Sequence, residues 1–134
     1  MSRILLIEDD QRVQAVVALG LSLAGHEILR ADDLAGGREA WETAGVDLVI
    51  LDLMLPDGDG IDLLAERRRA GDSTPVLLLT ARDIHQLGDR AVGASAHLAK
   101  PFAYAELLDV VERLASGDGA APMPDRRGGD PPPN

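Results

Sequence analysis

The 134-residue chain contains no cysteine, which excludes a disulfide framework, a thiolate metal site and thiol catalysis. Aromatic residues are nearly absent: one Trp, one Tyr and one Phe leave any core aliphatic. No window approaches the roughly 18 consecutive apolar residues of a membrane-spanning helix. Met1-Ser2-Arg3 followed by four apolar residues is too short for the apolar region of a signal peptide. Positive charge is scarce as well. Thirteen basic against 23 acidic side chains leave a net charge of −10, which repels phosphate backbones and argues against direct nucleic-acid contact. Lysine is scarcer still, since every basic residue except Lys100 is arginine. With 46% apolar residues, one core of ordinary size is within reach. These features predict a single cytoplasmic domain that touches neither membrane nor nucleic acid.

Composition changes near Ser116. Nine of the eighteen residues from Gly117 to Asn134 are Gly or Pro. Such a segment buries too little apolar area to offset its ordering entropy. Residues 117–134 are therefore expected to be a flexible tail or linker after a domain spanning 1–116. Within that domain, Ile4–Ile7, Leu48–Leu51 and Val76–Leu79 are short unbroken apolar runs. They suit strands buried on both faces of a parallel sheet. Glu27–Ala31 and His97–Ala99 are weaker strand candidates. Between them lie helical patterns: Val13, Val16, Val17, Gly20, Leu21 and Ala24 form one apolar stripe, and Tyr104, Leu107, Leu108, Val111, Leu114 and Ala115 another. Shorter helices are expected over Leu34–Thr43, Ile61–Ala70 and Ile84–Val92. Five strands alternating with helices predict a doubly wound α/β domain with a five-stranded parallel sheet.

Ligands of such sheets bind beyond the carboxyl ends of the strands, where strand order reverses. The residues that follow the apolar runs are Glu8-Asp9-Asp10, Asp52 and Thr80, and Lys100-Pro101 follows the last strand candidate. One rim thus collects carboxylates, a hydroxyl and the sole lysine. Carboxylate oxygens suit Mg²⁺, and no Cys or paired His competes for a softer metal. A lysine facing the same place would meet a phosphoryl oxygen as a point charge, and a threonine hydroxyl could donate to another. A carboxylate beside both can act as nucleophile and form an acyl phosphate. The rim reads as phosphoryl transfer to a carboxylate, with Asp52 central. Asp10 is expected only to cap the next helix. Arg67-Arg68-Arg69 reads as a solvated helix end favoured by the helix dipole, and Trp41 as packing.

Four segments, Ile4–Asp10, Leu51–Gly60, Leu79–Arg82 and Gly93–Phe102, are similar in order and spacing to the motifs of response-regulator receiver domains. The resemblance covers residues 1 to about 116. It implies the CheY-like, flavodoxin-like (βα)5 fold and a place in two-component signalling, with a histidine kinase or a histidine phosphotransfer protein as phosphodonor. Carried over by position, it implies that Asp52 is the phosphoacceptor. Mg²⁺, or Mn²⁺ in its place, would be held by Asp9, by Glu8 largely through water, by Asp52 and by the Met54 backbone carbonyl. Thr80 and Lys100 would contact the phosphoryl group, and the Lys100–Pro101 bond would be cis. His97 would be the switch residue that turns when Thr80 moves, reshaping the face of the fourth helix, fifth strand and last helix. Met54 and Arg82 would tune dephosphorylation.

Between Thr80 and Gly93 the chain is about two residues shorter than the family pattern, which predicts a short or displaced fourth helix. Asp109, Val110 and Glu112 stand where the winged-helix branch usually presents basic residues, so the phosphorylation-dependent homodimer that the resemblance allows would lack its usual charge pairing. Other classes fit less well. A haloacid-dehalogenase-type phosphatase would need a second Asp where Met54 stands. No glycine-rich phosphate loop exists, and a flavin carrier would want a Ser/Thr-rich loop in place of Glu8-Asp9-Asp10. The alternative is a receiver that binds partners without phosphorylation, against which the complete set of acids, Thr80 and Lys100 argues. The Gly/Pro segment suits a receiver cut from a protein with an effector, commonly a DNA-binding transcription regulator. It equally suits one that acts on a separate partner.

Overall fold

A computed structural model describes residues 2–81, 87 and 93–116. The elements run β1 (Arg3–Ile7), α1 (Gln11–Leu23), β2 (Glu27–Ala31), α2 (Leu34–Thr43), β3 (Leu48–Asp52), β4 (Met54–Leu55), β5 (Gly58–Asp59), α3 (Gly60–Arg69), β6 (Val76–Thr80), β7 (Ala96–Ala99) and α4 (Tyr104–Ala115). β1, β2, β3, β6 and β7 form a five-stranded sheet in the order β2-β1-β3-β6-β7, with every neighbouring pair parallel. This is the doubly wound arrangement that the apolar runs predict. β4 and β5 add a two-residue antiparallel hairpin that the sequence pattern does not signal. Apart from Leu87, the expected helix over Ile84–Val92 lies outside the described residues, as does the 117–134 segment.

The continuous runs follow from burial on both sheet faces. Alternate residues of β1, β3 and β6 point to opposite sides. Leu5, Ile7, Val49, Leu51, Val76 and Leu78 pack with Leu34, Trp41, Ile61 and Leu64 of α2 and α3. Ile4, Leu6, Leu48, Ile50, Leu77 and Leu79 pack with Val17 and Leu21 of α1 and Leu107, Val111 and Leu114 of α4. The side chain of Trp41 is part of the core, in keeping with its reading as packing.

Two expectations need correction. The buried face of α1 is Gln14, Val17, Ala18 and Leu21, rotated from the expected stripe, and Val16 stays exposed. The apolar stripe is wider than the surface β1 and β3 can cover, and its edge faces outward. The arginine cluster is not simply solvated either. Arg67 pairs with Glu42 and Asp72. Arg68 donates to the backbone carbonyls of Gly93, Asp72 and Thr74, tying the end of α3 to the segment leading into β7. Only Arg69 is left exposed.

Candidate functional site

Strand order reverses between β1 and β3, and their register sets the site. Ile7 pairs with Leu51, so Glu8 and Asp52 leave neighbouring strands side by side. Thr80 ends β6 beside Asp52, since Leu79 pairs with Asp52, and Thr80 itself pairs with Ala99 of β7. Lys100 follows Ala99, and its N–H donates to the Thr80 carbonyl at 2.9 Å. The Lys100–Pro101 peptide bond is cis.

Carboxylate oxygens of Glu8, Asp9 and Asp52 lie within 4.8 Å of one another. Glu8 is fully buried and Asp52 nearly so, whereas Asp9 is exposed. Lys100 Nζ reaches Asp52 Oδ2 at 2.9 Å and Glu8 Oε1 at 3.0 Å. Its contact with Asp52 is an aligned hydrogen bond; Glu8 Oε1 lies close to the ammonium but accepts no aligned hydrogen bond. The other Glu8 oxygen accepts from Asp10 N–H at 3.0 Å, and Asp52 Oδ1 accepts from Met54 N–H at 3.2 Å. Met54 is exposed at the mouth of a cavity of about 330 Å³ that Glu8, Asp9, Asp52, Ala81 and Lys100 also line.

Burial pushes the Glu8 carboxyl up to about 7, and neighbouring Asp52 adds to the rise; the Asp10 N–H and Lys100 oppose it. Burial alone would lower the Lys100 ammonium, but its contacts with Asp52 and Glu8 outweigh that and raise it. The site is thus a set of crowded carboxylates held together by one cation. An all-oxygen donor set with a buried carboxylate oxygen lacking an aligned partner fits a hard divalent cation.

The loops around the site are held by caps. Asp10 Oδ1 accepts from Arg12 and Val13 N–H groups, the capping role expected of it. Asp59 caps α3 through Ile61 N–H. Asp57 accepts from Leu34 and Ala35 N–H groups at the start of α2, so the hairpin following Asp52 is fastened to a helix 23 residues earlier in the chain. Gly60 is required by a close approach, because a Cβ there would lie 2.5 Å from the Asp52 carbonyl oxygen. His97 is half-buried in β7, three residues before Lys100. Arg82 lies outside the described residues.

The structure adds two features to the sequence reading. Gln14, buried on α1, donates to the Glu8 carbonyl; a polar residue at i, i+3, i+7 spacing with Val17 and Leu21 was the available signal. Beside the acidic site runs an apolar groove of about 510 Å³ between α1 and the 101–104 segment, walled by Val13, Val16, Val17, Phe102 and Tyr104. Val16, Leu19 and Leu23 extend its exposed apolar surface along α1.

Residues 4–112 match the model of the response regulator receiver domain family. The chain is 44% identical over 114 residues to the transcriptional regulatory protein SilR of Salmonella typhimurium, covering 84% of this chain and 50% of SilR. It spans about half the length of the curated relatives it matches. Among solved structures, a Francisella response-regulator receiver domain superposes with a TM-score of 0.80 at 28% identity, covering 87% of this chain and 98% of that one. The response regulator TrrA of Thermotoga maritima, solved in complex with Mg²⁺-BeF, gives a TM-score of 0.78 at 27% identity and covers 85% and 99%.

Proposed function

The chain belongs to the response-regulator receiver family, and from that premise we propose that Asp52 accepts a phosphoryl group from a histidine kinase or a histidine phosphotransfer protein. The observation that carries this reading is the meeting of Glu8, Asp9, Asp52 and the sole lysine at one sheet edge. A carboxylate oxygen of Asp52 attacks phosphorus in line. The P–N bond of the phosphohistidine breaks, its electron pair stays with the imidazole, which takes up a proton, and an acyl phosphate remains. Lys100 exchanges its contact with the Asp52 oxygen for one with a phosphoryl oxygen, and the Thr80 hydroxyl donates to another.

Glu8, Asp9, Asp52 and the Met54 backbone carbonyl hold Mg²⁺ in this reading, with Mn²⁺ as a substitute. The all-oxygen donor set and the Glu8 oxygen without an aligned partner support it, as does the Mg²⁺-BeF complex of TrrA. When bound, the cation offsets negative charge on the phosphoryl oxygens. Hydrolysis returns the site to its first state when water attacks phosphorus, and Met54 and Arg82 govern access to that path. The domain assists only its own phosphotransfer and hydrolysis.

Movement of Thr80 toward the phosphoryl group and rotation of His97 change the face expected of the 84–92 helix, β7 and α4, which is the output. The exposed apolar residues of α1 beside the groove offer a surface on which a protein partner such as the phosphodonor can rest. Residues 117–134 serve as a tail or linker, on the strength of their composition. The output is then a linked effector, such as the DNA-binding part of a transcription regulator, or a separate partner. No described helix is long and apolar enough to cross a membrane, and a cytoplasmic location completes the reading.

Incubation with acetyl phosphate and Mg²⁺ followed by intact-mass analysis tests it. One added phosphoryl group is expected, lost in Asp52→Asn and without divalent cation. Persistent modification of Asp52→Asn would place the acceptor elsewhere.

A further inference from the structure

Gln14 is a polar residue on the buried face of α1, with 2% of its surface exposed. An apolar side chain there would join Val17 and Leu21 in the core and carry no desolvation cost. The amide instead is engaged at both ends. Its Nε2 donates to the backbone carbonyl of Glu8 at 2.7 Å, to Asp32 Oδ1 at 2.8 Å and to the Ala31 carbonyl at 3.3 Å. Its Oε1 accepts from Arg30 Nε at 2.7 Å. A guanidinium has no lone pair to offer, so the Arg30 contact fixes which way the amide faces. Asp32 is held in turn by Gln11 Nε2 at 3.2 Å.

These contacts immobilise one residue of the acidic site. The Glu8 N–H donates to the Ala31 carbonyl at 3.0 Å, its carbonyl accepts from Gln14, and its Oε2 accepts from Asp10 N–H. Three of its polar groups are thereby fixed, and Oε1 is the one presented to Lys100 and the neighbouring carboxylates. Asp9, the next residue, hangs from the same carbonyl.

We infer that Gln14 is a positioning residue for the divalent-cation site: its amide, oriented by Arg30, sets the Glu8–Asp9 backbone so that both carboxylates meet a cation together with Asp52. The inference rests on the cation reading given above. Partners that orient metal ligands typically alter affinity by tens of fold when removed. Gln14 acts through a backbone carbonyl rather than on the ligand atom, so its loss weakens binding by about 10-fold, at the lower end of that range.

The test uses the wild-type chain, Gln14→Met and Arg30→Met, without phosphodonor. Free Mn²⁺ is followed by electron paramagnetic resonance, and the fold by far-ultraviolet circular dichroism. The dissociation constant for Mn²⁺ is expected to rise about 10-fold in Gln14→Met and about 2- to 3-fold in Arg30→Met, where the amide remains but is no longer oriented. With acetyl phosphate, the Mg²⁺ concentration for half-maximal phosphorylation rises by the same factors, while the rate at saturating Mg²⁺ stays at the wild-type value. A folded Gln14→Met with an unchanged Mn²⁺ constant overturns the inference, whatever its melting temperature. If Gln14→Met does not fold, Arg30→Met decides, and an unchanged constant there overturns it equally. A wild-type chain that binds no Mn²⁺ overturns the cation reading itself, an outcome distinct from equal binding by wild type and variant.

Discussion

Glu8→Gln should stabilise the metal-free protein, and by an amount that depends on pH. The Glu8 side chain has no exposed surface, and burial lifts its carboxyl from 4.5 to about 7. Between those values the folded chain holds a proton that the unfolded chain has released, so stability falls as pH rises through the interval. Below about 4.5 both states carry the proton and nothing is lost. Above about 7 the ionised group costs the folded state roughly 3 kcal/mol, the difference between the two values at 1.36 kcal/mol per unit. Glutamine has the shape of the protonated acid and cannot ionise. Relative to wild type, the variant should gain about 3 kcal/mol at pH 8 and less than about 1 kcal/mol at pH 5. Urea denaturation in EDTA at both pH values measures this, and taking the difference from wild type cancels the titrating groups that do not touch Glu8. Adding Mg²⁺ at pH 8 should narrow the gap, because a cation bound to the ionised carboxylate favours the wild-type fold. A variant less stable than wild type by similar amounts at pH 5 and pH 8 would refute the reasoning. The Lys100 contact would then outweigh burial, and the site would not be held under electrostatic load.

Gly60→Ala should cost about 1–3 kcal/mol in urea denaturation, because the new methyl group would overlap the Asp52 carbonyl oxygen. It should also slow acetyl-phosphate labelling by shifting the Asp52 backbone. Arg68→Met should cost roughly 2–3 kcal/mol, since it leaves the Gly93, Asp72 and Thr74 carbonyls without their charged donor. Hydrogen exchange in that variant should rise first at Gly93–Ser95, whose connection to α3 is lost.

The three central strands were legible because each is buried on both faces and so contains no polar interruption. β2 and β7 gave weaker signals for the converse reason: they are sheet edges, where Glu27 and Arg30 are exposed and His97 is half-buried. The hairpin after Asp52 left no trace, since strands of two residues have no periodicity and this one is fastened by Asp57 to α2. Arg68 was misread because its partners are backbone carbonyls, which every residue carries and no sequence pattern marks. The acids, Thr80 and Lys100 were legible for a different reason. Parallel strands end on one edge, so residues that follow apolar runs are neighbours in space however far apart they lie in the chain.

The same logic explains what the sequence could not order: which groups at the rim bear the strain. Glu8, Asp9 and Asp52 are equivalent carboxylates on paper, but β1 is flanked by β2 and β3 and carries its next residue into the interior, whereas Asp9 is already turning toward α1 and lies exposed. Burial is therefore what raises the Glu8 carboxyl most, and the Asp10 N–H and Lys100 are the groups available to offset it. Lys100 lies close to both Glu8 and Asp52, but only Asp52 accepts an aligned hydrogen bond from it, so the ammonium offsets the charge of Glu8 without satisfying its second oxygen. Any group that brings positive charge to this edge lowers the repulsion and leaves Lys100 less strongly required by the carboxylates. Protonation of Glu8 at lower pH achieves the first effect without the second, because a neutral carboxyl attracts the ammonium less and leaves the Lys100–Asp52 pair in place. Acid and divalent cation should thus stabilise the fold through the same carboxylate while leaving Lys100 in opposite states.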